Sequence, residues 1–110
     1  MSSQHRVDYA VADRIATIAM NRPPVNAIDH PMIDAIHARL READADENVR
    51  AIIITSALPG MFCGGMDLRM VAAGDAMDLR RFVYKFYIDT MNIQYALSKP
   101  TIVAVNGPAR

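Results

Sequence analysis

Apolar positions recur first at strand spacing and then at helix spacing. Val7, Tyr9 and Val11 alternate with other residues, and Ile15, Thr17, Ile18 and Met20 follow a polar break. Two such runs around a short break predict a β-hairpin, with the turn at Ala12 and Asp13. Arg22-Pro23-Pro24 ends the second strand, because proline has no N–H to give a ladder. An extended loop then carries the chain past Asn26 to Asp29. Asp29 is a good N-cap, and Pro31 is tolerated in a first turn. Ile33, Ile36, Leu40 and Ala43 recur at helical spacing, with Arg39, Arg41 and Glu42 turned to water, so a helix is predicted over residues 30–45.

After a polar break at 44–48, residues 49–55 (VRAIIIT) are β-branched and almost continuously apolar, as in a central strand covered on both faces. Strand, helix and strand in that order predict a right-handed crossover and a parallel pair. The loop after Thr55 then falls at the carboxyl edge of the sheet, where α/β folds bind ligands. Residues 56–65 contain Pro59, Gly60, Gly64 and Gly65 and form a loop; residues 67–71 suit one short helical turn. Asp75 can cap a long helix to about Leu97. One face of it carries Leu79, Phe82, Val83, Phe86, Thr90, Ile93 and Leu97, and a second carries Tyr84, Tyr87, Met91 and Tyr95. A helix apolar on two sides is deeply buried or packs on another subunit. Lys99-Pro100 ends it, and residues 101–105 make a last strand before Asn106-Gly107-Pro108. The fold class expected is α/β. So apolar a final strand needs further neighbours, so the 110 residues are expected to be a portion of something longer.

Composition narrows the function classes. At 52% apolar and 22% charged residues the chain is ordinary globular material, and its length fits one domain or a piece of one. Lys plus Arg and Asp plus Glu are both 12, so no global field recruits nucleic acid or anionic lipid. The single cysteine, Cys63, cannot form an internal disulfide and suits a reducing compartment. The first ten residues have no apolar leader segment and no apolar run could span a membrane, so a cytoplasmic setting is expected.

The segment Met61-Phe62-Cys63-Gly64-Gly65-Met66-Asp67-Leu68 is the most informative for chemistry. Two glycines after a buried strand either serve a tight turn or leave backbone N–H groups facing a cleft, as an anion or oxyanion hole requires. Cys63 is a small buried hydrophobe or a nucleophile with no histidine near it in sequence. His30 and His37 are seven apart, too far for an i,i+4 metal pair, and are expected at the surface or at a cap; no metal is expected. Asp67 suits an N-cap or loop brace better than a general base. Asn106-Gly107 could make a hairpin turn. Arg80-Arg81 suits a solvated face, with pairing to coenzyme phosphates as the alternative.

Together these pieces resemble the enoyl-CoA hydratase/isomerase (crotonase) family over nearly all of the chain. The resemblance rests on residues 18–28 (IAMNRPPVNAI), on 49–56 (VRAIIITS) followed by 62–68 (FCGGMDL), and on 98–109 (SKPTIVAVNGPA). It implies a spiral of β-β-α turns, here the N-terminal part of a single domain over residues 1–110, incomplete at its C-terminal end. It implies an acyl thioester of coenzyme A as substrate, with its carbonyl between two backbone N–H donors that stabilise a thioester enolate. The first donor falls on Met66. Gly64, Gly65, Met66, Asp67, Leu68 and Arg69 would line the thioester and pantetheine path, and the loop of Pro24, Val25 and Ala27 would meet the nucleotide end. No cofactor is implied beyond the coenzyme A of the substrate, and a homo-oligomer, trimer or hexamer, is. Methionine stands at 66 where the family has a small residue, and Cys63 where it has serine or alanine. The second donor and the acid/base carboxylates fall after the NGPA segment. Two rivals remain: a non-catalytic binding or assembly module on the same scaffold, and a thiol hydrolase using Cys63.

Overall fold

A computed structural model describes residues 6–110; the first five residues, part of the stretch searched for a leader segment, lie outside the described residues. β1 (Val7–Ala12) and β2 (Ile15–Met20) form the expected antiparallel hairpin, in register from Val7 opposite Met20 to Ala12 opposite Ile15. The turn lies one residue later than expected. Asp13 (φ 53°) and Arg14 (φ 66°) are both left-handed, the backbone a two-residue hairpin needs to follow strand twist, and Ala12 stays in the strand.

The crossover is as expected. α1 (His30–Ala45) leads from the short β3 (Ala27–Ile28) to β4 (Ala51–Ser56), which lies parallel to β2 with Ile15 opposite Ala51. Asp29 caps α1, its carboxylate accepting the Met32 N–H at 3.0 Å. β6 (Thr101–Val103) lies parallel to β4 on its other side, so the sheet order is β1-β2-β4-β6 and β4 is interior. β4 begins two residues later than expected because Val49 is a buried turn residue, its N–H held by the Asp46 carbonyl. The apolar stripe of α1, from Met32 and Ile33 through Ile36 and Leu40 to Ala43, packs on Ala16, Ile18, Met20 and Ile52. Each large side chain so buried contributes about 1.5–3 kcal/mol before entropy is set against it.

Two expectations are corrected here. His37 is buried, not at the surface or a cap: four residues from Ile33 and three from Leu40, it lies on the apolar stripe itself. Its Nε2 meets Thr90 Oγ1 at 2.7 Å, and that hydroxyl in turn donates to the Lys85 carbonyl, so Nε2 carries the proton. Burial and then the Arg41 charge push its pKa below the ordinary histidine value, against Asp89 and Asp34. The long helix also departs from one uniform rod. α2 (Leu68–Ala73) precedes α3 (Ala76–Val83), a π-helical segment follows over Tyr84–Asp89, and α4 (Thr90–Ala96) completes the run. Phe82 and Ile93 are buried with Phe86 and Leu97 partly so, whereas Tyr84, Tyr87, Met91 and Tyr95 stand exposed. Among the described residues no helix is long and apolar enough to cross a membrane.

Candidate functional site

β2 and β4 run parallel and end level, Met20 opposite Ser56, so the loops that follow them meet at one edge of the sheet. The first loop, with a cis peptide at Pro23-Pro24, turns around Asn26, which is completely buried and left-handed (φ 54°). Its Oδ1 accepts the Arg22 N–H at 2.7 Å, and its Nδ2 donates to Ser56 Oγ at 2.8 Å and to the Phe62 carbonyl at 2.9 Å. One amide therefore fastens the first loop to the end of β4 and to the second loop. Asparagine suits both tasks, since it tolerates the left-handed region and carries donor and acceptor together.

The second loop returns beside the first through β5 (Gly65–Met66), which lies parallel to β3 with Ala27 opposite Gly65 and Ile28 opposite Met66. Both glycines are demanded by geometry. A Cβ on Gly64 would lie 2.8 Å from the Val25 carbonyl oxygen, and Gly65 has φ +87°, which side chains rarely adopt. The Asp67 N–H is given to the Ile28 carbonyl at 2.9 Å. Successive amides of a strand point to opposite edges, so the Met66 N–H is aimed the other way, away from β3.

Asp67 caps α2. Its Oδ1 accepts the N–H groups of Arg69 at 2.9 Å and Met70 at 3.4 Å, and its Oδ2 accepts Arg22 Nη1 at 2.8 Å. Burial alone would raise the carboxyl's pKa, but the Arg22 hydrogen bond and the two amides outweigh it and hold it below the ordinary carboxylate value. A carboxylate stabilised by three donors is a brace and a poor base. Arg22 also donates from Nη1 to the Ala27 carbonyl at 2.8 Å, and its Nη2 lies 3.4 Å from Asp29, the cap of α1.

A cavity of about 330 Å³ lies between the two loops. Pro24, Val25 and Ala27 line it from the first loop, and Gly64, Met66, Asp67, Leu68 and Arg69 from the second. The structure thus brings together the residues expected from sequence, except that Gly65 shapes the turn without lining the cavity. It adds Pro23 and Arg22, neither of which was expected there. No local pattern marks Arg22, whose partner Asp67 is 45 residues away.

The other candidates resolve as follows. Cys63 is half-buried, its Sγ accepting the Gly65 N–H at 3.4 Å and lying 3.7 Å from the Asn26 carbonyl, so its polar contacts are backbone groups and none is a base. His30 stacks edge-on against Phe82, with Nδ1 3.1 Å from Lys85 Nζ. Arg80 and Arg81 are exposed away from the cavity, and Arg81 pairs with Asp78 at 3.6 Å. Asn106-Gly107 is not a hairpin turn: Asn106 donates to the Ser56 carbonyl, and the chain runs on so that Ala109 bridges Cys63 in parallel. The Pro108 carbonyl accepts the N–H groups of Phe62 and Cys63, and the Arg110 N–H donates to the Cys63 carbonyl at 2.9 Å. Among the described residues no group of three histidine, cysteine, aspartate or glutamate side chains could hold a metal ion.

A mixed sheet whose β2, β4 and β6 run parallel around a helical crossover, with a left-handed Gly65 turn and a loop-walled cavity at one edge, defines an α/β fold. Residues 11–110 match the family described as Enoyl-CoA hydratase/isomerase, and the chain belongs to that family. It is 30% identical over 112 residues to 4-chlorobenzoyl coenzyme A dehalogenase-1 of an Arthrobacter species, covering 98% of this chain and 40% of that protein. It is 33% identical to 1,2-epoxyphenylacetyl-CoA isomerase of Escherichia coli (strain K12), covering 86% and 37%. A crystal structure of an enoyl-CoA hydratase/isomerase from Xanthobacter autotrophicus Py2 superposes with a TM-score of 0.82 at 34% identity, over 94% of this chain and 39% of that one. The crotonase fold read from the sequence is therefore the fold observed. The chain spans about two fifths of the length of these relatives.

Proposed function

We propose that this chain supplies one side of the active site of an acyl-CoA thioester enzyme of the hydratase or isomerase type, and that the Met66 N–H is an oxyanion donor. The observation that carries this is the β3–β5 register, in which Asp67 gives its N–H to Ile28 and the Met66 amide is left out of the ladder while Met66 lines the cavity. A thioester carbonyl placed against that N–H gains negative charge as the α-carbon loses a proton or the β-carbon is attacked. A fixed donor in a site shielded from water stabilises that charge without reorganising, and one such donor is worth about 3–4 kcal/mol, or 10²–10³ in rate. The donor is a main-chain group, so methionine at 66 serves as well as alanine, and its flexible side chain narrows the acyl path without closing it.

Pro24, Val25 and Ala27 would receive the nucleotide end of the coenzyme. The second donor and the acid/base carboxylates would come, as the family resemblance implies, from sequence after the NGPA segment. A homo-oligomer, trimer or hexamer, and a cytoplasmic setting complete the proposal, the first from the family resemblance and the second from the chain's single cysteine.

Gly65→Val in the full chain tests the donor. Valine is strained at φ +87°, and its Cβ would lie 3.0 Å from the Arg110 carbonyl oxygen, so the 65–66 peptide must rotate. Turnover of enoyl-CoA thioesters, followed by loss of conjugated absorbance, should fall at least about 10²-fold. Unchanged turnover would overturn the assignment.

A further inference from the structure

Resting on that reading, we infer that Arg22 is a positioning residue for the reaction: it fixes the Met66 N–H by locking Asp67 to the first loop. Its guanidinium reaches both helix caps at the site, Asp67 of α2 at 2.8 Å and Asp29 of α1 at 3.4 Å, and also the Ala27 carbonyl at 2.8 Å. A planar fork can hold three acceptors in fixed directions, which a flexible ammonium cannot. Asp67 spends one oxygen on α2 and the other on Arg22, and its own N–H on β3. The residue immediately after the donor is thus held from three directions, by α2, by β3 and by Arg22, and Arg22 is the side chain among them, reaching the Ala27 carbonyl as well. Among the described residues no other cation pairs with Asp67.

Without Arg22, a mostly buried carboxylate keeps its two α2 amides and loses its counter-charge. It must then shift toward water or take up a proton, and either change moves the Asp67 backbone and with it Met66, whose N–H lies in the 65–66 peptide one bond further back. Misplacing a reacting group by about 1 Å costs on the order of 10² in rate, while ground-state binding of the remote coenzyme is little affected. The loss should therefore fall on kcat.

The test compares Arg22→Gln, Arg22→Lys and Asp67→Asn in the full chain with a short enoyl-CoA. Arg22→Gln should lower kcat about 10- to 100-fold with KM changed less than about threefold, and Arg22→Lys should restore only part of it. The double variant Arg22→Gln/Asp67→Asn should be no slower than the worse single one, because both act through one link. The infrared carbonyl stretch of bound thioester should move back toward its value in water, a shift that a loss of stability alone would not cause. A raised KM with kcat retained would overturn the inference and make Arg22 a direct contact to substrate anions. Additive losses in the double variant would overturn it too. Should Arg22→Gln fail to fold, Asp67→Asn carries the test, because its remaining Oδ1 still caps α2. If Gly65→Val abolishes turnover while Arg22→Gln leaves kcat unchanged, only the positioning role falls; if Gly65→Val is harmless, the donor reading falls with it.

Discussion

Asn26→Ala offers the sharpest test of how the site is held together. The substitution removes three hydrogen bonds from a completely buried position. Ser56 Oγ keeps a partner in the Leu58 N–H, so the main losses are at the Arg22 N–H and the Phe62 carbonyl. Each buried group left unpaired costs about 1–3 kcal/mol. Alanine at φ 54° adds on the order of 1 kcal/mol of backbone strain that asparagine largely avoids. The sum is a destabilisation of about 3–7 kcal/mol, large against a typical domain stability of about 5–15 kcal/mol. Asn26→Gly removes the same side chain and none of the conformational freedom, so it should be about 1 kcal/mol less damaging than alanine. Urea denaturation followed by circular dichroism measures both, with the slope m unchanged if the denatured states match. A loss below about 1 kcal/mol for Asn26→Ala would refute the hydrogen-bond accounting, and a glycine variant worse than alanine would refute the strain component.

Further expectations concern Asp67 and Phe82. Asp67 has a folded pKa below its unfolded value of about 3.9, so its stabilisation is fully present above that value and is lost as pH falls through the folded one. The Tm advantage of the wild-type chain over Asp67→Asn should accordingly shrink as the buffer is taken below about pH 4, and a pH-independent gap would contradict the pairing with Arg22. Phe82 is completely buried, with ring contacts to His30 at 5.1 Å and Phe86 at 5.6 Å. Phe82→Ala should cost about 3–5 kcal/mol in chemical denaturation, and a loss under about 1 kcal/mol would show that α3 is not anchored there.

The elements whose causes are local were legible in the sequence. Asp29 as a cap, the α1 stripe and the apolar β4 each follow from residues within one or two turns, and the crossover follows from their order. The cavity was legible by family resemblance, through motif order. His37 was misplaced although its spacing from Ile33 and Leu40 put it on the buried stripe; its polarity outweighed a periodicity that was in plain view. The π-helical segment had no such signal. It widens the helix by one residue where the Thr90 hydroxyl returns to the Lys85 carbonyl, and apolar spacing of three and four tolerates that insertion. Arg22 and Asn26 act across 30 to 45 residues, and nothing in their neighbourhoods shows which atoms they will meet.

The parallel bridge between Cys63 and Ala109 sets a timetable for the chain. Apart from the β1–β2 hairpin, every strand pair here joins distant segments, so loop-closure entropy is spent before most pairings give anything back. The turn that shapes Gly65 and Met66 is held on one side by β3 and on the other by residues 108–110, which leave the ribosome more than forty residues after it. During synthesis that turn therefore emerges with one flank unsupported and gains its final geometry only when β6 has docked and the following chain has lain down beside it.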